Sequence, residues 1–361
     1  MPTPWQRDLA RDRERLAEWL AARLPGASDV RLSELRAPQS SGFSNDTLLF
    51  ELEYASEGRS RREALVARIQ PTGFQVFPEY DMGLQFKTLE LLARTDVPVP
   101  RPRWLEADDR SVLGAPFYVM DQVQGRVPPD NPPYHATGWV TEISPEERAA
   151  LWWSGIESMA RIHRLDWRAA GFGFLDRPQL GPTALEQQLA YYQRYLRWAA
   201  DGREQPTIEA ALAWLLADRP QGERTVLSWG DARIGNMLFD GTKVVAVLDW
   251  EMVGIGAPEM DLAWQIFLDK HHSEGMGKPR LPGFPSYEAT AERYRELTGF
   301  EVQNLHYYEI FAGFRFAVVM LRIAQQCLRY GVMDEAQSRA FERNNMVTQL
   351  LARLLGLPAP A

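Results

Sequence analysis

Three oxygen-bearing side chains stand close together in one short stretch of this chain. They are Asp231, Asn236 and Asp249, within the segment LSWGDARIGNMLFDGTKVVAVLDWEM that runs from residue 227 to residue 252. The apolar runs MLF and VVAVLDW flank an Asp-Gly-Thr turn, which is a strong signal for a β-hairpin. The open end of an antiparallel hairpin holds the start of one strand and the end of the next. We therefore expect Asn236 beside Asp249, which ends the second strand, with Asp231 on the loop that enters the hairpin.

These residue types are the ones that phosphoryl transfer requires. One carboxylate orients the attacking hydroxyl group and accepts its proton, while a second carboxylate and an amide oxygen hold Mg²⁺ against the phosphates of a nucleotide. Asp231 and Asn236 have the Asp-x-x-x-x-Asn spacing of kinase catalytic loops, and Asp249 follows where kinases have a metal-binding aspartate. The alternative is that these residues merely populate turns. The hairpin that joins all three favours the catalytic interpretation.

Length, charge and cysteine content exclude several classes of protein. The chain has 361 residues, for which about two domains or lobes are expected. Its formal net charge of -8 argues against non-specific binding to nucleic acid. The single cysteine, Cys327, permits no intrachain disulfide and lies in an apolar helical pattern, so we interpret it as a core residue.

The sequence gives no sign of secretion or of a membrane segment. The charged N-terminus lacks the apolar region of a secretory signal, and there is no run of about 18 apolar residues that would indicate a spanning helix. We therefore expect a cytoplasmic protein without a membrane or nucleic-acid partner. The sequence does not indicate an oligomeric state.

Hydrophobic periodicity divides the chain into a strand-rich part and a helical part. The first part is predicted to hold a helix over 5–24, strands over 30–35, 47–54, 64–69 and 115–123, a helix over 79–92 and an extended segment in PVPRPRWLE. The second part is predicted to hold helices over 145–165, 185–200, 207–218, 287–298, 305–330 and 334–355. We expect an α+β protein with an N-terminal antiparallel-sheet lobe over residues 1–123 and a mostly helical lobe over residues 124–361.

A polar loop over residues 271–286 is a candidate lid or substrate loop because it is rich in glycine and proline. It begins with His271 and His272. We expect this pair to be exposed to solvent, with substrate contact as the alternative.

The segments WGDARIGNMLF, VAVLDWEM and EMDLAW resemble the aminoglycoside phosphotransferase-like family, which has a two-lobe protein-kinase-like fold. The resemblance covers most of the chain, and it extends to the kinase-like domains that accompany some acyl-CoA dehydrogenases. It implies that Asp231 is the catalytic base, that Asn236 assists as a metal ligand and that Asp249 is the principal Mg²⁺ ligand.

The resemblance also implies roles for residues around this motif. Asp261 would support the catalytic loop, although it is also a candidate cap for a helix N-terminus. Arg233 would contact a phosphate or pair with an acid, and both roles stay open. Glu251 would be structural, solvated or a further metal ligand. Trp229 occupies the position of a family histidine, and we expect it to brace the loop by packing and by one N–H donor.

Nucleotide-binding residues are implied in the N-terminal lobe. The loop SSGFSND, with Ser41, Gly42 and Ser44, would cover the nucleotide phosphates with backbone N–H groups. Arg68 stands on the third strand where kinases have lysine, and its fork of N–H groups suits a phosphate.

Two further parts of this lobe would complete the nucleotide site. Gln85 occupies the helix position where kinases have a glutamate, so it would hydrogen-bond Arg68 without an ion pair. Backbone groups around Asp121 and Val123 would meet adenine.

The sequence therefore predicts transfer of the γ-phosphoryl group of ATP or GTP, with Mg²⁺, to a hydroxyl group of a small molecule. The acceptor stays open between an aminoglycoside-like compound and an acyl or hydrophobic one. Exposed aromatic side chains would favour the latter, but we expect most of the candidates to be core residues: Trp198, Trp264, Phe267, Phe311 and Phe314. The alternatives are a nucleotide-binding pseudokinase with a regulatory or scaffold role and a Mg²⁺-dependent phosphohydrolase.

Overall fold

The computed structural model describes residues 7–38 and 45–360, and the chain forms two structural units. The first unit is Met1–Ala93 with Pro100–Val123, and the second is Arg94–Val99 with Gln124–Ala361. Residues 94–99, which we expected in the N-terminal lobe, belong to the second unit. The backbone N–H of Val247 donates to the carbonyl oxygen of Pro98 at 2.7 Å and ties this segment to the second unit.

An antiparallel sheet forms the centre of the first unit. Its strands are β1 (Ser28–Leu32), β2 (Asp46–Ser56), β3 (Arg59–Ile69), β4 (Pro102–Glu106) and β5 (Phe117–Asp121), in the order β1-β2-β3-β5-β4. Buried side chains alternate along β2 at Leu48, Phe50 and Leu52, as in a strand with one face on a core. The predicted strands are confirmed. β2 and β3 extend further than predicted because they meet in a tight turn.

Helices pack on this sheet. They are α1 (Leu9–Ala21) and α2 (Met82–Leu92). Leu16 and Leu20 of α1 are fully buried in the same core cluster as the sheet residues. Trp19 lies beside them and donates Nε1–H to Glu106 at 2.7 Å, which satisfies the one polar atom of its indole.

Helices dominate the second unit. They are α3 (Trp139–Glu142), α4 (Pro145–Arg164), α5 (Ala184–Ala200), α6 (Pro206–Ala217), α7 (Glu259–His272), α8 (Tyr287–Thr298), α9 (Leu305–Arg329), α10 (Glu335–Arg343) and α11 (Met346–Leu354). The strands between α6 and α7 are β6 (Val226–Ser228), β7 (Met237–Asp240), β8 (Lys243–Val247) and β9 (Gly254–Gly256). β7 pairs with β8 in the predicted hairpin, and β6 pairs with β9.

The longest helix, α9, runs through the core of the second unit. By length and composition alone it could cross a membrane, but 72% of its most apolar window is buried inside the protein. The core helix of a soluble protein passes the same test, so α9 is only weak evidence for a membrane segment.

The single helix predicted over residues 334–355 is wrong, because the chain breaks it at two adjacent asparagines. Asn344 leaves the helical conformation with a φ of -127°. Asn345 then starts α11 by accepting the backbone N–H groups of Val347 at 2.9 Å and Thr348 at 3.1 Å. Asn345 is thus the N-cap of α11, a position at which asparagine is strongly preferred.

The helix α7 was not among the predicted helices. Nearly all of its residues are buried, so it lacks the polar stripe by which an amphipathic helix is recognised. This corrects the expectation for His271 and His272. They form the C-terminal end of α7 and are 7% and 6% exposed, respectively.

Candidate active site

The hairpin of β7 and β8 brings Asn236 close to the segment that holds Asp249. The backbone N–H of Leu248 donates to the carbonyl oxygen of Asn236 at 2.8 Å, directly beyond the paired strands. We expected Asp249 to end the second strand. The strand instead ends at Val247, and Asp249 lies just past it with a φ of 61°. A non-glycine residue with this φ is uncommon, and such strained residues cluster at functional sites.

Asp231 and Asn236 contact each other directly within a loop over residues 229–236, called here the Asp231 loop. Nδ2 of Asn236 donates to Oδ2 of Asp231 at 2.6 Å and to its carbonyl oxygen at 3.1 Å. Oδ1 of Asp231 accepts Nε1–H of Trp264 at 2.7 Å. The Asp231 side chain is nevertheless 14% exposed, so its carboxylate is oriented by neighbours and still open on one side.

Asp261 of α7 holds the start of this loop from behind. Its carboxylate accepts the backbone N–H groups of Trp229 at 2.6 Å and Gly230 at 3.0 Å, together with the hydroxyl of Ser228 at 2.8 Å. Nε2 of His163 lies 2.9 Å from the same carboxylate. Burial acts to raise the pKa of Asp261, but these hydrogen bonds hold it below its ordinary value. The residue lies inside the first turn of α7, so it supports the loop and is not the helix cap.

Gly230 and Trp229 determine the path of the loop. Gly230 has a φ of 94°, and a Cβ there would overlap the carbonyl oxygen of Met252, so a larger residue requires a backbone shift. The Trp229 ring is fully buried at 6.0 Å from the ring of Trp250, and its Nε1–H donates to the carbonyl oxygen of Leu248 at 2.8 Å. These contacts match the bracing by packing and by one N–H donor that we expect of Trp229.

Arg233 joins Asp231 to a carboxylate that the sequence analysis missed. Its Nε–H donates to both oxygens of Asp231, at 3.1 and 3.2 Å, and its Nη1–H donates to Oδ2 of Asp130. Burial acts to lower the pKa of Arg233, but the two carboxylates raise it well above its ordinary value. Of the two roles left open for Arg233, pairing with an acid is the one present in this structure.

A second arginine, Arg315 of α9, lies against the same loop. It is 1% exposed, and its Nη2–H donates to the carbonyl oxygen of Gly230 at 3.0 Å. Its guanidinium carbon lies 4.6 Å from the ring centre of Trp264 and 5.0 Å from that of Tyr192. Arg315 thus supports both the backbone before Asp231 and the indole that donates to Asp231.

Asn236 and Asp249 could hold a magnesium ion. Both supply oxygen donors, which Mg²⁺ prefers, and the hydrogen bonds of Asn236 to Asp231 use its Nδ2 and leave Oδ1 unused. In residues 7–38 and 45–360, no group of three or more His, Cys, Asp or Glu side chains could hold a metal ion. Mg²⁺ commonly takes one or two protein ligands and completes its shell with phosphate and water, so this donor pair fits an ion that arrives with a nucleotide.

The nucleotide-binding residues expected in the first unit are described only in part, because Ser41, Gly42 and Ser44 lie outside the described residues. Arg68 stands on β3 opposite Tyr118 of β5. The hydroxyl of Tyr118 donates to Oε1 of Gln85 at 3.4 Å, and Nε2 of Gln85 lies 4.0 Å from the sulfur of Met82. Gln85 is therefore hydrogen-bonded to Tyr118, and its expected hydrogen bond to Arg68 stays a prediction.

Asp121 and Val123 lie at the end of β5. The backbone N–H of Asp121 donates to the carbonyl oxygen of Arg101 at 2.9 Å, and its carboxylate pairs with Arg103 at 2.8 Å. The N–H of Gln122 donates to β3 at 2.9 Å. Within the part of the chain that the structure describes, the N–H of Val123 has no such partner, so this group is available to a ligand.

Asp130 also lies close to two histidines at the C-terminal end of α7. Nε2 of His272 lies 3.5 Å from Oδ1 of Asp130, and the rings of His271 and His272 are 5.2 Å apart. Burial lowers the pKa of His271 to about 3 and also lowers the pKa of His272, so both rings are neutral near pH 7. Asp130 lies in a proline-rich loop without a motif, so no sequence signal identified it.

The aromatic residues considered for an acceptor site are mostly core residues, as predicted. Trp264, Phe267, Phe311 and Phe314 are at most 2% exposed. Trp198 is 38% exposed, with the guanidinium carbon of Arg322 4.0 Å from its ring centre. They therefore do not form an exposed aromatic wall.

An antiparallel-sheet unit followed by a helical unit with an Asp–Asn loop before a β-hairpin is the architecture of kinase-like phosphotransferases. The chain belongs to the phosphotransferase enzyme family, whose model matches residues 36–297. This confirms the predicted family and the predicted two-lobe, α+β protein-kinase-like fold.

Solved structures and curated relatives agree with this membership. A Ralstonia eutropha JMP134 protein, provisionally assigned as an aminoglycoside phosphotransferase, is 25% identical with a TM-score of 0.67 over 94% of this chain and 96% of that one. The GDP and kanamycin complex of APH(2")-IIIa, at 13% identity, has the same fold with a TM-score of 0.54, over 91% of this chain and 95% of that one.

Among curated proteins, acyl-CoA dehydrogenase family member 11 of Gallus gallus is 29% identical over 96% of this chain. The match covers 43% of that protein, so the chain spans less than half the length of this relative.

Proposed function

We propose that this protein transfers the γ-phosphoryl group of ATP or GTP to a hydroxyl group of a small molecule. The observation that carries the proposal is the Asp231 loop, in which Asn236 donates to Asp231 at 2.6 Å while Asp261 holds the preceding backbone. A partly open carboxylate in a fixed loop suits a group that orients a hydroxyl and accepts its proton.

The proposed reaction follows from this arrangement. The acceptor oxygen forms a bond to the γ-phosphorus while the bond from that phosphorus to the β–γ bridging oxygen breaks, so a nucleoside diphosphate leaves. The hydroxyl proton passes to Asp231. Asn236 and Asp249 would hold Mg²⁺, which neutralises phosphate charge when it is bound.

Residues of the first unit support the nucleotide part of the proposal. Arg68 on β3 is the candidate phosphate contact, and the N–H of Val123 is the candidate donor to the base. Gln85 acts through Tyr118, because that is the side chain to which it is hydrogen-bonded. The GDP bound to APH(2")-IIIa supports a nucleotide site in this fold and leaves ATP and GTP both to be tested.

Two classes of acceptor can be compared: aminoglycosides and hydroxylated acyl compounds. Kanamycin is bound by APH(2")-IIIa, and the Gallus gallus relative is named for acyl-CoA. A polycationic acceptor requires unpaired carboxylates. Here Asp130 is paired with Arg233, and Asp269 of α7 is paired with Arg280 at 2.6 Å. This charge balance favours a hydroxylated acyl compound over an aminoglycoside.

The decisive experiment measures phosphoryl transfer from ATP and GTP, with Mg²⁺, to a panel of hydroxyl compounds that includes kanamycin and hydroxylated acyl compounds. The control is Asp231→Asn, which keeps the shape of the side chain and removes the base. We expect transfer that falls at least about 1,000-fold in the variant, since loss of a base that acts with its neighbours is severe.

The outcomes separate this proposal from its alternatives. Nucleotide binding without any Asp231-dependent turnover would support a pseudokinase with a regulatory or scaffold role. Cleavage of phosphomonoesters without added nucleotide would support a phosphohydrolase. Either result would overturn the proposal.

The metal assignment has its own pair of variants. Asp249→Ala should abolish Mg²⁺-dependent turnover, whereas Glu251→Ala should retain most of it. Equal losses in the two variants would refute the assignment of Asp249 as the principal ligand. Titration of activity with Mg²⁺ provides the measurement.

A further inference from the structure

Asp130 holds one end of Arg233, the arginine that contacts Asp231. We infer that Asp130 is a positioning residue for phosphoryl transfer, which directs Arg233 towards the transferred group. This inference rests on the proposed function. It concerns a residue from the proline-rich loop before α3, outside the Asp231 loop and the hairpin.

The loop that carries Asp130 is fixed at both ends within the second unit. On one side, Arg126 and Phe239 of β7 exchange backbone hydrogen bonds, each at 2.9 Å. On the other side, Nε1–H of Trp139 donates to the carbonyl oxygen of Val127 at 3.0 Å. The Asp130 carboxylate is therefore presented by anchored backbone.

The middle of this loop is fastened to α7. The hydroxyl of Tyr134 donates to Oδ1 of Asp269 at 2.7 Å, and Nε2 of His135 lies 2.9 Å from the same oxygen. Tyr134 and His135 are 2% and 3% exposed. A loop with such buried contacts can hold a partner in one orientation, which a mobile surface residue cannot do.

The guanidinium of Arg233 is oriented by two carboxylates at two of its nitrogens. Nε–H donates to Asp231 and Nη1–H donates to Asp130, so the planar group cannot rotate without losing a hydrogen bond. Within the described ranges, Nη2 of Arg233 has no hydrogen-bond partner, and the side chain is 18% exposed. One N–H group is thus left to donate to a ligand beside the Asp231 carboxylate.

Gly235 provides the space that this arrangement needs. A Cβ at Gly235 would overlap both Nη1 of Arg233 and Oδ1 of Asp130. Gly235 lies between Arg233 and Asn236 in the chain, so the loop itself leaves room for the carboxylate from the distant segment. This close approach is a second, independent sign that the pair is built into the loop.

Arg233, held by Asp130, can stabilise the negative charge that develops on the transferred phosphoryl group. As the β–γ bridge breaks, negative charge spreads over the oxygens of the transferred phosphoryl group. Nη2–H of Arg233 donates to one of these oxygens, while the acceptor proton goes to Asp231. With Asp231 bound through Nε and Asp130 bound through Nη1, Nη2 is the nitrogen that remains to reach the phosphoryl group.

The Asp130 side chain is 38% exposed, and Arg233 keeps its contact with Asp231 when Asp130 is changed, so Asp130→Asn should fold. Asp130→Asn retains shape and removes charge. Arg233→Gln removes the donor fork.

The test compares Asp130→Asn, Arg233→Gln and the double variant by Mg²⁺-dependent, Asp231-dependent turnover of ATP, with water or an identified hydroxyl compound as acceptor. We expect kcat to fall about 100-fold in Arg233→Gln and about 10-fold in Asp130→Asn, with KM for ATP raised at least about 5-fold in Arg233→Gln and changed less than about 3-fold in Asp130→Asn. The double variant should be no slower than Arg233→Gln, because Asp130 acts through Arg233. Multiplying losses would overturn the inference and leave the proposed function intact.

Sulfur substitution distinguishes positioning from a general structural defect. ATPγS replaces one oxygen of the γ-phosphoryl group with a weaker hydrogen-bond acceptor. The ratio of the ATP rate to the ATPγS rate should therefore fall in both single variants. A structural defect would lower both rates and leave the ratio unchanged, which would overturn the inference.

Binding measurements make the test independent of turnover. Calorimetry should show that Arg233→Gln weakens Mg²⁺–AMP-PNP at least about 5-fold while ADP is unaffected, since only the triphosphate analogue reaches Nη2. Unchanged AMP-PNP binding would contradict the inference. Absence of nucleotide binding by the unsubstituted protein would instead overturn the proposed function, and the inference with it.

Matched glycine variants provide the final control. Gly235→Ala should reproduce the loss of Asp130→Asn, because the added methyl group separates Asp130 from Arg233. Gly173→Ala should leave kcat unchanged, because nothing lies within 4 Å of a Cβ there and its φ is not in the left-handed region. Full activity in Gly235→Ala would overturn the inference.

Discussion

The hydrogen bonds that Asp231 accepts determine how much of its carboxylate remains for an acceptor hydroxyl. A carboxylate offers about four lone-pair positions. Asn236 and Trp264 each occupy one position, and Nε–H of Arg233 is shared between both oxygens. Roughly one position therefore stays open, which suits a base that receives a single proton from one direction.

The indole of Trp264 provides a direct test of this arrangement. Trp264→Phe retains the ring over Arg315 and removes the donor to Oδ1 of Asp231. A hydrogen bond to a charged group contributes about 1.5–3 kcal/mol, so we expect kcat to fall roughly 10- to 100-fold while KM for ATP is retained. Steady-state kinetics on Trp264→Phe and on Trp214→Phe, whose ring packs on His306 and Tyr307, would check this. Comparable losses in both variants would contradict the expectation.

Burial of His271 makes the stability of the protein depend on pH. The folded protein keeps this ring neutral because burial lowers its pKa to about 3, whereas in the unfolded chain it protonates near pH 6.5. Between these values the unfolded state binds the additional proton, so acid favours unfolding. The contribution of His271 to the free energy of unfolding should fall by at most about 1.4 kcal/mol per pH unit as the pH decreases from 6.5.

Denaturant unfolding of His271→Gln between pH 7 and pH 5 would measure this contribution. The slope of the free energy of unfolding against pH should be shallower than in the unsubstituted protein. His306→Gln is the control, because His306 is exposed. Equal slopes in all three proteins would exclude the assignment.

Among the structural elements, the two sharp turns around the hairpin differ in how much crowding they tolerate. Gly230 and Gly241 both have positive φ, at 94° and 58°. A Cβ at Gly230 would overlap Met252, whereas a Cβ at Gly241 meets nothing within 4 Å. The two glycines therefore form a matched pair with and without a steric clash.

Alanine at each position should separate the cost of a left-handed backbone conformation from the cost of a steric clash. Gly241→Ala should lower the free energy of unfolding by about 1 kcal/mol, the cost of a left-handed non-glycine residue. Gly230→Ala should lower it by at least about 3 kcal/mol, because the methyl group also displaces the Asp231 loop. Chemical denaturation of both variants would check this, and similar losses would refute it.

The elements that carry clear local signals could be predicted from the sequence. The Asp-Gly turn and its flanking apolar runs identified the hairpin, and the Asp231-to-Asn236 spacing identified residues that hydrogen-bond each other. The elements that could not be predicted lacked such signals. α7 is buried nearly all round and shows no amphipathic stripe, so His271 and His272 were assigned to a loop.

The same limit applies to the site. Asp130 lies 103 residues before Arg233 in the chain, and only the fold of the second unit brings them together. Arg315 stands within the apolar stretch FRFAVVM of a helix, and the sequence does not show which residues it contacts. Contacts between such distant residues depend on tertiary packing, which periodicity and motif spacing do not encode.

For the whole molecule, ligand binding should be visible as stabilisation. Mg²⁺ with AMP-PNP at 100 times its Kd should raise the free energy of unfolding by about 2.7 kcal/mol if it binds only the folded state. Asp249→Ala should lose the part of this stabilisation that depends on Mg²⁺. A thermal-shift titration with and without Mg²⁺ measures both, and an unchanged Mg²⁺ dependence in Asp249→Ala would contradict the proposed ligand.

The contacts of Asp261 also have a consequence for how the protein opens. Its buried carboxylate accepts the amide hydrogens of Trp229 and Gly230, so neither can exchange with solvent until α7 separates from the loop. Many functional loops open locally, but these two amides should exchange with deuterium only when the second unit unfolds as a whole. The residues before the proposed base would then be among the slowest-exchanging in the protein, and a drug or effector could not act on them by trapping a locally opened loop.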